Sequence, residues 1–597
     1  MRAPGTPSIV LLSMINRLRN LILPLLCAIL VGACAANRPA GDKTVAPKAP
    51  AGDSVALTAS ADAALKRGDC REASESYAKA AAGGDAQLAR RATQVAMACE
   101  HLPAAWQAAS RWRALAPNDR EANALYAAIA LKLYRTADAR VAIHEFWRVE
   151  EQSNAAPAPK ADGAASPVPH HAEERTARSM TELTALLLEE SDASAVLIAM
   201  SGALEPSANS TDTLTLLGEL ALAAYDGQRA TRYAQQALQH DPQDIAATRI
   251  LARAYVMRGD APQALATARQ AKIHDAQRGG MELAEILASL DRSEEAHQEL
   301  ERLRATGGPQ AEIDRRLALL AYNSGDYKEA KQRFSELASS GEGNEGAQLY
   351  LADIAARDGD PDGAIAAYRR LYDSSVALSA RSRAASLLLD RHSRTEALAL
   401  LDDYAADHPE DELDLTLTKA RLLADHGEAD AGLEILSAEL VRHPQHPSIE
   451  YDRAVILEQG GHVHESVEAL EHLLEVRPDD PTLLNALGYT LADHSLELPH
   501  AETLIRRALT VMPDSPAALD SLGWVRFRSG DMKGATSTLE RAYSLGHDGE
   551  IAAHWGEALW SSGNKPEARR VWAAALAREP DSKPLKATIK RFLPDAH

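Results

Sequence analysis

A self-similarity with a period near 34 residues constrains this chain more than any other feature. Its marker is a small residue in one helix and a second small residue about twelve positions later. It reads Ala61/Ala73, resumes at Gly218/Ala230, and runs from Ala252/Ala264 through Ala420/Gly432, Ala454/Ser466, Gly488/Ala501 and Gly523/Ala535 to Gly556/Ala568. Four positions after the second marker stands a bulky residue, as at Tyr77, Phe334, Tyr368, Ile505, Leu539 and Trp572. Prolines close many units: Pro117, Pro242, Pro409, Pro444, Pro478, Pro513 and Pro580. Two helices approach closely only where side chains are small, a bulky neighbour fills the space beside the crossing, and proline cannot continue a helix. A chain rich in Ala, Leu and charged residues, with four Phe and no long β-branched run, favours helices throughout.

This marking resembles the tetratricopeptide repeat across nearly the whole chain. The fold expected is all-α, a right-handed superhelical solenoid of tetratricopeptide (TPR) hairpins, with first helices lining a concave groove and second helices outside. The front units are more degenerate, with Ala105 and Ala139 on the second marker; the next candidate is Ala195, 56 residues on, one period plus 22. The surplus falls on 151–174, a Pro-, Ala- and His-rich stretch too polar to bury a core. We read it as a disordered insertion between degenerate hairpins at 57–150 and the main array at 175–597; a hinge between two subdomains is the other reading.

The N-terminus reads as an address. Arg17 and Arg19 precede the apolar run Leu21 to Val31, and Val31-Gly32-Ala33 precede Cys34. That is a secretory signal over 1–33, too short for a stable membrane span. Cys34 in this setting resembles the bacterial lipobox, which implies a lipidated N-terminal cysteine and an anchor in membrane. Ala35 follows where the inner-membrane retention rule wants Asp, which implies the periplasmic side of the outer membrane. Translation starts at Met1 or at Met14, nearer the basic pair. Residues 34–56 are Ala-, Pro-, Gly- and Lys-rich, a tether reaching roughly 25 Å. Cys70 and Cys99 sit near the inter-helix turns of neighbouring hairpins. In an oxidising compartment they are either a disulfide or two buried thiols, and the sequence leaves both open.

The formal charge is −21, and loss of residues 1–33, with Arg2, Arg17 and Arg19 and no acids, makes it −24. Such a chain repels phosphate backbones, so nucleic acid is not an expected partner. No P-loop and no Gly-x-Ser-x-Gly elbow is present. Ser76 to Lys79 matches Ser-x-x-Lys by chance, within a repeat helix. His144-Glu145 and His464-Glu465 begin like a zinc-protease helix but lack its second His. His464, Glu468 and His472 share a helix face that reads as a solvated outer surface, so no metal, cofactor or enzyme activity is expected. The inner positions of the last three units are more informative: Asn485 and Tyr489; Asp520, Trp524, Phe527 and Arg528; Glu557 and Trp560. Aromatics and hydrogen-bonding groups on one inner surface suit an extended peptide. The alternative is that Trp524 and Trp560 pack against adjacent repeats. The lysine and asparagine clamp for a terminal carboxylate is not met in this groove.

Leu484-Asn485-Ala486-Leu487-Gly488-Tyr489-Thr490-Leu491-Ala492-Asp493, Leu519-Asp520-Ser521-Leu522-Gly523-Trp524 and Ala552-Ala553-His554-Trp555-Gly556-Glu557-Ala558-Leu559-Trp560 go beyond the generic repeat. With the lipobox they resemble the LbcA-type outer-membrane lipoproteins of proteobacteria. The resemblance implies an adaptor that holds a periplasmic carboxyl-terminal processing protease beside peptidoglycan hydrolase substrates, raising their effective concentration. Two alternatives stand beside it: a pilotin-like assembly factor for an envelope machine, and an enzyme with an unrecognised site in the degenerate front section.

Overall fold

The computed structural model describes residues 51–155, 170–205, 210–340, 344–408 and 411–594, and these form 31 helices with no strand. The signal segment and Cys34 lie outside the described residues. The helix Ala51–Lys66 begins inside the expected tether. The expected insertion at 151–174 is helical at both edges, through Thr136–Ala155 and His170–Glu190, and 156–169 lies outside the described residues. No described helix is long and apolar enough to cross a membrane.

Two compact units are formed, one ending at Ala224 and one beginning at Tyr225. His170–Glu190 packs against both Arg120–Lys132 and Thr136–Ala155 within the first unit. The unit boundary splits the Gly218/Ala230 pair, with Gly218 in the first unit and Ala230 in the second. In the first unit Cys70 opens one helix and Cys99 closes the next, and the two are joined with Cα atoms 5.3 Å apart.

The second unit runs from Gly227–His240 through ten hairpins, beginning with Ile245–Met257 and Ala261–His274, to a final helix Lys583–Phe592. Its last three hairpins pair Pro481–Asp493 with Leu498–Val511, Pro516–Arg528 with Met532–Gly546, and Gly549–Ser561 with Lys565–Arg578. Within a hairpin the turn is local chemistry. Gly530 takes φ 88°, a left-handed conformation free of strain only without a Cβ, and ends the first helix. Asp531 then accepts the Gly534 N–H and starts the second, a cap contributing about 1 kcal/mol. The next first helix opens with proline at its first turn, as at Pro481 and Pro516, where no N–H is needed.

The small-residue crossings are tight. A Cβ on Gly488 would lie 2.5 Å from Ile505 Cγ1 and 3.0 Å from the Ala501 carbonyl oxygen, and one on Gly556 would overlap the Trp572 ring. Where serine replaces the small residue, Ser466 Oγ donates to the Ala454 carbonyl at 2.8 Å, so the hydroxyl is satisfied in the same space.

The second unit also closes on itself. Turns joining first to second helices in its early hairpins meet turns joining second to first helices in its late ones. Asp514 donates its N–H to the Tyr225 carbonyl at 2.9 Å, accepts the Gly227 N–H at 3.0 Å on Oδ2, and pairs with Arg541. Asp291 lies 2.9 Å from His547 Nε2 and also pairs with Arg578. Tyr327 donates to the Arg578 carbonyl at 3.4 Å, and Lys583 Nζ to the Asp425 carbonyl at 3.0 Å. His547 and then Arg578 hold the Asp291 carboxyl down at about 2 against the effect of burial.

Gly488→Val is expected to cost about 1–3 kcal/mol by overpacking, read as a lower denaturant midpoint with secondary structure retained. Asp514→Ala strips acceptors from Gly227 and Arg541 and should cost about 1–3 kcal/mol at the seam. Hydrogen exchange at the Gly227 amide should accelerate while exchange in Pro481–Asp493 stays at its wild-type rate.

Candidate functional site on the inner face of the last hairpins

The first helices Pro481–Asp493, Pro516–Arg528 and Gly549–Ser561 line one surface. Tyr489 Oη donates to Glu550 Oε1 at 3.0 Å, a bond that skips a hairpin. The first helices of three consecutive hairpins therefore share this face, the one expected to be inner.

Its centre is filled. Asp520 and His554 are buried, and His554 Nδ1 lies 2.9 Å from Asp520 Oδ2. Burial works against the imidazolium, but Asp520, with Glu550 and Asp493 beyond it, outweighs that and raises the His554 pKa to about 9. The same burial pushes the Asp520 carboxyl up. Trp524 is only 4% exposed; its indole N–H donates to Asp493 Oδ1 at 2.9 Å, and its ring stacks on His554 at 4.1 Å and Phe527 at 5.0 Å. Burial first, and then Glu550, Asp493 and Asp520, raise the Tyr489 hydroxyl well above its ordinary value.

Of the two readings open for the tryptophans, packing therefore describes Trp524, which has no stacking area left for a ligand. Trp560 is half-buried, with Trp572 and Phe592 each at 5.7 Å, and Glu557 pairs with Arg591. Both are covered by the final helix. Asn485, Tyr489 and Phe527 are half-buried, and Asn485 Oδ1 is a buried acceptor without a partner. Arg528 is exposed, bonded to Ser495 Oγ at 3.0 Å. What the inner face offers a ligand is this rim, with the aromatics as its support.

His554 and Glu550 were not singled out from sequence, although a signal exists. Asp520 and His554 stand 34 residues apart, opposite charges on successive first helices. The same spacing of about one period joins Arg316 to Glu285 at 2.9 Å, Arg421 to Asp452 at 2.7 Å, and Arg383 to Asp353. Charge pairs one repeat apart thus rivet consecutive first helices along the inner face.

His464, Glu468 and His472 are all exposed on a second helix. Ligand atoms of Glu458, Asp493 and His494 do approach within 4.8 Å of one another, where His494 pairs with Glu458 at 3.0 Å and Asp493 already accepts from Trp524. Those contacts account for the cluster as hydrogen bonding between hairpins.

Family profiles described as tetratricopeptide repeat match residues 221–280, 315–376 and 417–481. A TPR repeat-containing protein of Pseudomonas aeruginosa is 26% identical over 211 residues, 35% of this chain and 36% of that protein, so this chain spans about a third of its length. Among solved structures, a thermophilic TPR protein of Thermus thermophilus is 24% identical, covering 30% of this chain and 97% of its own, with a TM-score of 0.28. A tetratricopeptide repeat protein of Parabacteroides merdae is 14% identical over 41% of this chain and 97% of its own, with a TM-score of 0.30. The Cut9–Hcn1 hetero-tetramer of the APC/C aligns over 90% of this chain and 96% of its own at 14% identity and a TM-score of 0.28.

A histidine whose folded pKa is about 9 against an ordinary 6.5 stabilises fully below about 6.5, and that contribution is lost as pH rises through about 9. The denaturant midpoint of the last hairpins, followed by tryptophan emission, should fall across that window. In His554→Gln the fall should be absent; equal slopes in both proteins would rule out the buried charge.

Proposed function

We propose that this array of tetratricopeptide-type hairpins is a protein-binding scaffold that works as an outer-membrane-anchored adaptor facing the periplasm. In this role it brings a carboxyl-terminal processing protease to peptidoglycan hydrolase substrates. The observation that carries the reading is the lipobox cysteine, Cys34, at the head of a long hairpin array. A lipid on that residue fixes the array to a membrane, and the array supplies surface for more than one protein at once. Gathering enzyme and substrate on one scaffold raises their effective concentration without any new chemistry. The Cys70–Cys99 bridge supports an oxidising compartment. The resemblance of the last three first helices to LbcA-type lipoproteins supports the protease and hydrolase as clients.

The scaffold itself contributes binding, with the rim residues Asn485 and Arg528 and the half-buried Tyr489 and Phe527 as contacts on the inner face. Trp524, Asp520 and His554 hold those contacts in place from beneath.

Affinity capture from solubilised envelope, followed by mass spectrometry, is expected to return a processing protease and cell-wall hydrolases. In a deletion strain those hydrolases should accumulate. Cys34→Ala should move the protein from the membrane to the soluble fraction while purified binding is retained. Hydrolase levels that do not change on deletion would sink the adaptor reading, and capture of secretion or pilus subunits would replace it with an assembly role.

A further inference from the structure

A cavity of about 510 Å³ in the first unit is lined by Ser110, Arg113, Pro117, Tyr126, Glu145 and Arg148, with Asn118 at its edge. It lies among the helices Leu102–Leu115, Arg120–Lys132 and Thr136–Ala155 and the turn at Pro117 and Asn118. We propose that it is a binding pocket for a carboxylate presented by a partner polypeptide, distinct from the inner face discussed above.

The argument begins with Asn123, which is fully buried. Its Nδ2 donates to the Pro117 and Asp119 carbonyls at 2.8 and 2.9 Å, which fixes the amide's orientation. Its Oδ1 must therefore face Arg113 and accepts from Nε at 2.9 Å. The guanidinium carbon lies over the Tyr126 ring, 4.8 Å from its centroid, and that ring packs on Trp106 at 4.8 Å. Arg113 is thus aimed and stiffened by neutral groups. It forms no ion pair with any described residue, in a chain of net charge −21 whose arginines mostly meet carboxylates.

Across the cavity Arg148 donates to Glu145 at 2.7 Å and to Asn118 Oδ1 at 2.6 Å, so the one carboxylate in the lining is already engaged. Ser110 Oγ and Asn118 Nδ2 have no partner among the described residues. The lining carries two positive charges against one negative and two further free donors. Its one ionised acceptor, Glu145, is held by Arg148 through Oε2. A carboxylate meets that set with paired, charge-assisted hydrogen bonds to a planar guanidinium. The volume exceeds that of a lone carboxylate and suits an attached chain lying on Pro117 and the Tyr126 ring. The carboxylate belongs to an acidic side chain or to a chain terminus.

The test is calorimetric titration of the full protein in detergent with three probes: acetyl-Ala-Leu-Ala with a free carboxylate, the same peptide amidated, and acetyl-Ala-Glu-Ala amide. Binding of the first probe alone assigns the pocket to chain ends, and binding of both acidic probes assigns it to carboxylates generally. Either result supports the proposal. Arg113→Gln should weaken binding at least tenfold, and Arg113→Lys should not restore it. Glu145→Gln, which frees Arg148 and removes the competing charge, should tighten binding, a gain that misfolding cannot produce. Equal binding of the amidated peptide, no binding by any probe, or no gain in Glu145→Gln overturns the proposal.

Discussion

The array depends on the distance at which the two helices of each hairpin can cross. At Gly488, Gly523 and Gly556 that distance leaves no room for a methyl group, because Ile505, Leu539 and Trp572 occupy the space a Cβ would need. A cavity or an overfilled crossing would change the angle between helices, and every later hairpin inherits that angle. Dense packing therefore sets curvature as well as stability. The curvature in turn brings Tyr489 within reach of Glu550, two hairpins away.

Electrostatics works along the other axis. Opposite charges spaced by about one period, such as Arg316 with Glu285 and Asp520 with His554, tie each first helix to the next. In a short exposed pair this contributes little. Asp520 and His554 are different, since burial strips water from both and removal of either leaves the other uncompensated. A polar core of this kind specifies how consecutive hairpins stack, while the aliphatic residues beneath supply most of the favourable energy.

Much of this was legible in the sequence because a repeat states the same local physics many times. Crossing residues and bulky fillers lie on helices where the pattern put them, and Pro117, Pro242, Pro444, Pro478, Pro513 and Pro580 lie in the turns between hairpins. The inner positions Asn485, Tyr489, Asp520 and Trp524 likewise lie on first helices. Whether Trp524 offers its face or fills a gap was not legible, because that depends on His554 and Asp493 in neighbouring hairpins. Gly218 and Ala230 obey the local rule yet belong to different units, since membership is decided by what each helix packs against elsewhere. Helix edges at Ala51, Ala155 and His170 reached further than composition suggested, since a helix already anchored by packing can extend into polar, Ala-rich sequence at little cost.

The contacts of Asp514, Asp291 and Lys583 with early turns have a bearing on how such a chain changes over generations. A solenoid with two free edges can gain or lose a hairpin by duplication or deletion, and its neighbours hardly register the change. In the second unit, an added or missing hairpin between Tyr225 and Asp514 would bring a different turn opposite each partner. Gly227 would then meet a side chain other than Asp514, and Asp291 would lose both His547 and Arg578. The seam thereby turns the number of hairpins into an inherited quantity, counted by the fold itself.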